Sequence, residues 1–470
     1  MSILQLFIIV AAAYLIGQLK RGRSLALLGV SAFFIYWLQP PQEQVSLTFW
    51  LPTATLAITC LVWLLTSSPE VRGGRQNAPA VLVLAGVAVL INLNRYFQLD
   101  AIFITQTPRF QWLAILIVTL LVLGLAVARL RRFPSLLFPL AALGIIFLFL
   151  LVKVPALPGI LWDGIATLRG KESGGFSPIA WLGFSYVAFR LLHTVLDRNA
   201  GRLPAVPLGD YVNYVIFFPA FTAGPIDRIE RFVQDLDHPV PLDREGWVEA
   251  GTRFFVGLFK KFVIADSLAW IALNDVFAGQ VQAPVWMWVL LYSYSLRIYF
   301  DFSGYTDIAI GIARLLGVRL PENFASPYFK PNLSQFWSSW HMTLTQWFRS
   351  YFFNPLVRGL RSSDQPLPPM LVILIAQLVT MVLIGLWHGI TAGFVLWGLW
   401  HGAGLFIQNR WSDYMKGRMP GWGRAPLGQA ILRYSGVFLT FHFVSIGWLF
   451  FSLSTPAQAW AVMAVLFGVP

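Results

Sequence analysis

His388 closes the stretch Gly385-Leu386-Trp387-His388-Gly389, at the end of an apolar run that begins at Leu371. An ionisable group this deep in an apolar segment is expensive and is a functional candidate by default. An imidazole kept neutral there can serve as a general base near neutral pH. The alternative is a histidine that hydrogen-bonds a neighbouring helix. The flanking glycines allow close backbone approach. His341 lies in Phe336-Trp337-Ser338-Ser339-Trp340-His341-Met342-Thr343-Leu344-Thr345. If this stretch is one helix, Trp337, His341 and Thr345 share a face by i,i+4 spacing. Trp337, Trp340 and Trp387 are candidates to line a cavity; plain interfacial anchoring is the other reading. His401 stands in a second Trp-His-Gly, thirteen residues after His388. That interval puts the two on different faces of any single helix, so a metal site shared on one helix is not expected. His193 and His442 read as packing residues, and His238, beside Pro239 in a polar loop, as solvated.

Carboxylates come next. Asp301 and Asp307 frame Phe302-Ser303-Gly304-Tyr305-Thr306, close to a deep apolar segment. Unpaired, they would be costly there. Arg297, four residues before Asp301, is positioned to neutralise it, and a structural ion pair is the plain reading. Tyr305, Asp307 and Asn323 are kept as candidates for a cavity or substrate site. Gly224-Pro225-Ile226-Asp227-Arg228 follows Phe217-Phe218-Pro219-Ala220-Phe221. Proline and glycine break a helix here. Broken helices at membrane depth usually line a cavity; a helix end with a surface turn is the alternative.

The elements that must hold these residues are set by composition. Of the 470 residues, 57% are hydrophobic and only 12% charged. An ordinary soluble domain carries roughly 25% charged residues. The bilayer must therefore solvate much of this chain, which predicts an all-α, polytopic transmembrane bundle. Apolar segments fall at about 2–19, 24–39, 47–66, 78–92, 111–128, 135–153, 178–196, 209–223, 251–273, 284–300, 303–317, 370–387, 390–408, 431–452 and 456–470. Several are short for a helix that needs about 20 residues. Roughly eleven to thirteen spans are expected, with re-entrant or short helices among them. The first segment lacks a basic start and a cleavage pattern, so it reads as a retained helix. The last stops at Pro470 without a polar tail, as a truncated chain would.

The net charge of +13 does not point to nucleic acid, because Arg and Lys are spread through short loops. Lys20, Arg21 and Arg23, then Arg72 and Arg75, then Arg129, Arg131 and Arg132 occupy alternate loops. Pro40 to Ser46 has no Lys or Arg, although Arg95 and Arg109 fall in a loop on the same side. The positive-inside rule then places the N-terminus outside the cytoplasm. Cys60 is the single cysteine, which excludes intrachain disulfides and a cysteine-based metal site.

Taken together, these motifs resemble the membrane-bound O-acyltransferase (MBOAT) family. Phe217-Phe218-Pro219 with Ala223-Gly224-Pro225-Ile226, and Phe302 to Gly311, are similar to two of its elements. Pro321-Glu322-Asn323-Phe324 with Pro327-Tyr328 is similar to a third. Phe336-Trp337 with Trp340-His341, and Gly385 to Gly389, resemble its two histidine motifs. The match covers about Trp181 to Phe406. Ser338, Ser339 and Ser350 stand where the family often carries basic, amide or acidic residues. The branch resembled modifies extracytoplasmic polymers, by alginate O-acetylation or teichoic acid D-alanylation, and features of both sides are present.

The resemblance implies His388 as the catalytic imidazole. It implies His341 as a second site residue that orients the donor or stabilises the oxyanion. It implies no tightly bound cofactor and no metal. The co-substrate would be an acyl thioester, acetyl-CoA or an acyl carrier protein, on the cytoplasmic side. The acceptor would be a hydroxyl of an extracytoplasmic polymer, reached directly or through a partner protein. The location implied is the bacterial cytoplasmic membrane. The chain divides by motif density into N-terminal helices 1–175, a catalytic core 176–408 and C-terminal helices 409–470. Two other classes compete. A flippase for lipid-linked glycans would favour internal symmetry, which the sequence does not show. A polytopic glycosyltransferase would want a carboxylate base near the outer face, where the first two outer loops offer only Glu43 and Asp100.

Overall fold

The computed structural model describes residues 3–42, 47–97, 107–154, 156–160, 163, 179–362, 364–365, 367–418 and 426–469. Glu43 and Asp100 lie outside them. Among the described residues the regular structure is helical, apart from one antiparallel bridge between Phe324 and Trp340.

Six helices are long and apolar enough to cross a bilayer: Leu47–Thr66, Arg75–Phe97, Phe110–Leu130, Pro134–Lys153, Pro369–His388 and Pro426–Ser452. Ile3–Gly17, Arg23–Trp37 and Pro456–Leu466 are apolar but shorter. Only 6% of Phe110–Leu130 and 11% of Pro134–Lys153 is covered by the protein. Their outward leucines, isoleucines and valines require hydrocarbon as solvent. The protein is an integral membrane protein.

Several of the other apolar segments form different elements from the single helices their composition suggests. The run 209–223 gives only the helix Leu208–Ile216 before Phe217-Phe218-Pro219 ends it. The run 251–273 contains Lys260 and Lys261 and widens into the π-helical turn Phe259–Ala265, followed by the single turn Asp266–Ala269. The runs 284–300 and 303–317 fuse into one helix, Pro284–Leu315.

The chain forms two compact units, Met1–Phe254 with Ala309–Pro321, and Phe255–Ile308 with Glu322–Pro470. The motif-dense span 176–408 contributes to both. In the first unit the stretch 217–227 is non-helical yet mostly buried, so it is not a surface turn. Non-helical backbone needs partners for its carbonyls when water is excluded. Arg190, 2% exposed, supplies them, donating to the carbonyls of Val215 at 2.8 Å and Ala220 at 2.9 Å. Asp227, in the same stretch, is capped by Arg231.

In the second unit the helices Pro369–His388 and Ala392–Arg418 lie backbone to backbone. A Cβ at Gly385 would overlap the Phe394 carbonyl oxygen, and one at Gly398 would sit 2.6 Å from the Met381 carbonyl oxygen. Small residues permit such contact between helices in lipid, where dispersion and not water exclusion drives association. This hairpin fixes where its last residue before the turn, His388, is held.

Candidate active site

His341 does not lie on a continuous helix with Trp337 and Thr345, contrary to the spacing argument. The helix Leu333–Trp337 ends, and Met342–Phe348 begins with His341 as its N-cap at φ 44°. His341 and Ser326 are the non-glycine residues with positive φ among those described. Such a conformation costs about 1–3 kcal/mol and persists only where surroundings impose it. Here two backbone bonds do so: Ala325 N–H to the Ser339 carbonyl at 3.0 Å, and Met342 N–H to the Asn323 carbonyl at 2.9 Å.

Asn323 then determines the chemistry of the ring. It is fully buried, and its Oδ1 lies 3.2 Å from the Thr343 backbone nitrogen, 2.9 Å from Thr343 Oγ1 and 3.1 Å from His341 Nδ1. A backbone N–H can only donate, so the atom it faces must be the amide oxygen. Facing an acceptor, His341 Nδ1 must carry its proton. The remaining nitrogen, Nε2, therefore presents a lone pair. It is buried and has no hydrogen-bond partner among the described residues, and neither has Asn323 Nδ2. Unpartnered buried polar groups are rare and mark places that a ligand or water completes. His341 lies outside the six spans. Burial first, and the nearby His388 second, hold its pKa well below the usual histidine range. Both effects favour the neutral ring.

His388 ends the helix Pro369–His388 and is half-buried. Its ring packs at 4.6 Å from Trp387, 4.8 Å from Phe451 and 5.7 Å from Trp397, centroid to centroid. Trp387 is also 6.0 Å from His341. The two histidines thus border one indole and sense each other's charge.

The other sequence candidates are placed around this pair unequally. Trp337 packs against Trp397 at 5.6 Å and His401 at 5.2 Å. His401 belongs to a different helix from His388, is fully buried, and neither of its ring nitrogens is hydrogen-bonded among the described residues. Trp340 stacks on Phe336 and meets Tyr299, Phe324 and Trp448. Tyr305 is half-buried on the helix Pro284–Leu315. Phe302, three residues earlier, is the member of that helix that meets His341, at 4.7 Å. An apolar cleft of about 470 Å³ is lined by Tyr299, Tyr328, Phe438, Phe441 and His442 among others. Neither His341 nor His388 lines it. His442 bonds Tyr292 and the Phe438 carbonyl, and His238 is exposed.

Asp307 and Asp301 do form ion pairs, but not with Arg297. Asp307 meets Lys260 at 2.6 Å and Asp301 meets Lys261 at 2.5 Å. Sequence reasoning missed both lysines, although two adjacent cations in an apolar run were the available signal. Asp307 is 5% exposed. Lys260→Met removes this buried ion pair and should lower stability by about 3 kcal/mol. Thermal melting in detergent measures this, and adding Asp307→Asn should recover most of the loss. In the first unit, His193, Asp197 and Glu230 bring ligand atoms within 4.8 Å of one another. Asp197 already pairs with Arg202 at 2.5 Å and contacts His193 Nε2 at 2.8 Å, so its charge does not demand an ion.

Residues 95–455 match the membrane-bound O-acyltransferase family, and both histidine motifs fall inside the match. The chain belongs to this family. O-acyl transfer is accordingly its enzyme class. A teichoic acid D-alanyltransferase of Streptococcus thermophilus is 30% identical over 63% of the chain and 73% of its own length. A probable alginate O-acetylase of Azotobacter vinelandii is 34% identical over 61% of the chain and 54% of its own length. A peptidoglycan O-acetyltransferase of Helicobacter pylori is 34% identical over 55% of the chain and 47% of its own length. The chain spans about half the length of these last two.

Proposed function

We propose that the protein moves an acyl group, acetyl or D-alanyl, from a thioester on the cytoplasmic side to a hydroxyl of an extracytoplasmic polysaccharide or cell-wall polymer. The names of the relatives support the reaction class and the polymer acceptor. The observation that carries the chemistry is the pair of histidines sharing Trp387, one with its tautomer set by Asn323.

In this reading His388 is the base. The acceptor hydroxyl gives its proton to an imidazole nitrogen of His388 while its oxygen bonds the thioester carbonyl carbon. The tetrahedral intermediate then expels the thiolate as the C–S bond breaks. The imidazolium returns the proton to sulfur, leaving an ester and a free thiol. His341 is the poorer proton acceptor, because burial keeps it neutral. Nor does it suit the role of oxyanion donor suggested by resemblance, since its open nitrogen is a lone pair. It serves instead as a fixed acceptor for a second N–H or O–H donor on the substrate, distinct from the attacking hydroxyl. Limited water access around the pair would protect the thioester from hydrolysis.

An acetyl-CoA or an acyl carrier protein fits as co-substrate, with no tightly bound cofactor and no metal. The setting proposed is the bacterial cytoplasmic membrane with the N-terminus outside. The experiment is acyl transfer by purified protein from each thioester to a hydroxylated polymer, with a His388→Ala control. Transfer from neither donor would remove the proposal.

A further inference from the structure

Four arginines gather where helix ends meet in the unit formed by Met1–Phe254 and Ala309–Pro321. Arg72, Arg131, Arg132 and Arg198 line a cavity of about 400 Å³, beside the apolar Leu65 and Phe138. Arg72 follows the span Leu47–Thr66; Arg131 and Arg132 separate Phe110–Leu130 from Pro134–Lys153; Arg198 lies in the last turn of Phe184–Asn199.

None of the four pairs with a carboxylate among the described residues. Asp197, next to Arg198 in sequence, is taken by His193 and Arg202. Glu70, close in sequence to Arg72, is exposed and forms no ion pair. Arg72 donates to the Ser67 hydroxyl and carbonyl, and Arg131 to the Leu64 carbonyl at 3.3 Å, so two of the four are braced against backbone. Arg131 Nε is buried without a partner. Burial first, and the charge of Arg198 second, push the Arg131 guanidinium below its usual range. A guanidinium nevertheless keeps its proton in proteins. A bound anion would relieve the repulsion.

We infer that this cavity binds a phosphate group, and that the group belongs to the headgroup of an anionic phospholipid. Planar guanidinium forks match phosphate oxygens in pairs, and the volume exceeds what a single carboxylate fills. The lipid source follows from the neighbours. Phe110–Leu130 and Pro134–Lys153, which flank Arg131 and Arg132, are the least covered spans, so acyl chains have apolar surface to follow. Arg72, Arg131 and Arg132 also belong to connections that the positive-inside rule assigns to the cytoplasm, where anionic lipid concentrates. The inference does not depend on the acyl-transfer reading.

The test uses the full chain in detergent, titrated with short-chain phosphatidylglycerol or phosphatidylcholine and read by native mass spectrometry. Wild-type protein should retain phosphatidylglycerol in preference to phosphatidylcholine. The double variant Arg131→Gln, Arg198→Gln should weaken the phosphatidylglycerol Kd about thirtyfold, two charges' worth, and leave phosphatidylcholine unchanged. Should that variant misfold, Arg132→Gln, an exposed position, should weaken it about fivefold. Unchanged phosphatidylglycerol binding in a folded variant overturns the site. Inorganic phosphate, tested by thermal melting, separates the sources. Arginine-dependent stabilisation by phosphate, without preference between the two lipids, overturns the lipid assignment.

Discussion

His388→Ala should lower kcat for acyl transfer by about 10³-fold, within the range that a positioned general base supplies. The protein should still fold, because the ring is half-buried and two of its neighbours, Trp397 and Phe451, pack on each other without it. Donor binding should change little, since the lost interaction belongs to the transition state. His341→Ala tests the assignment within the pair. If His388 takes the proton, the His341 variant keeps more activity and loses it chiefly in KM for the acceptor. The reverse ranking, with His341→Ala the more severe in kcat, would transfer the role of base to the buried ring. Kinetics of both variants with one thioester and one acceptor decide this.

The second large effect belongs to a residue that need not touch substrate. Asn323 positions His341 by accepting from Nδ1–H, and its oxygen is held in place by the Thr343 N–H and hydroxyl. Asn323→Leu removes the acceptor that selects the tautomer. Activity should fall roughly 10- to 100-fold, as with other groups that orient an active ring. Loss of packing alone could imitate this, so the conservative variant matters. Asn323→Asp keeps an oxygen in place and adds negative charge beside the ring. That charge favours the imidazolium and raises the pKa of His341. Activity should be largely restored at high pH, with the acidic limb of the pH–rate profile moved upward. A merely structural Asn323 would give two variants with equal losses and an unmoved profile.

Much of this site was legible in sequence because a polar residue in an apolar run is conspicuous. His388 stands out at the end of the run from Leu371, and Gly385 beside it marked the close helix contact that the fold contains. The fold class followed from the same composition. His341 was found but misdescribed. Its helical spacing suggested one continuous face, whereas the backbone turns into the left-handed region at that residue. The turn is held by bonds to Asn323 and Ala325, and no local pattern records a partner fourteen to nineteen residues away. The ion pairs failed for a related reason. Arg297 lay within reach of Asp301 along the helix, but Lys260 and Lys261 approach from another element. Apolar runs do not map one to one onto helices: two runs join in the helix Pro284–Leu315, and the run around Lys260 passes through a π-helical turn.

The most direct test is transfer of a labelled acyl group in sealed proteoliposomes, with thioester supplied on one face and a hydroxyl acceptor confined to the other. Expected is label appearing on the acceptor with wild-type protein, and almost none with His388→Ala at matched reconstitution. Equal labelling by the two proteins would contradict a reaction centred on these histidines.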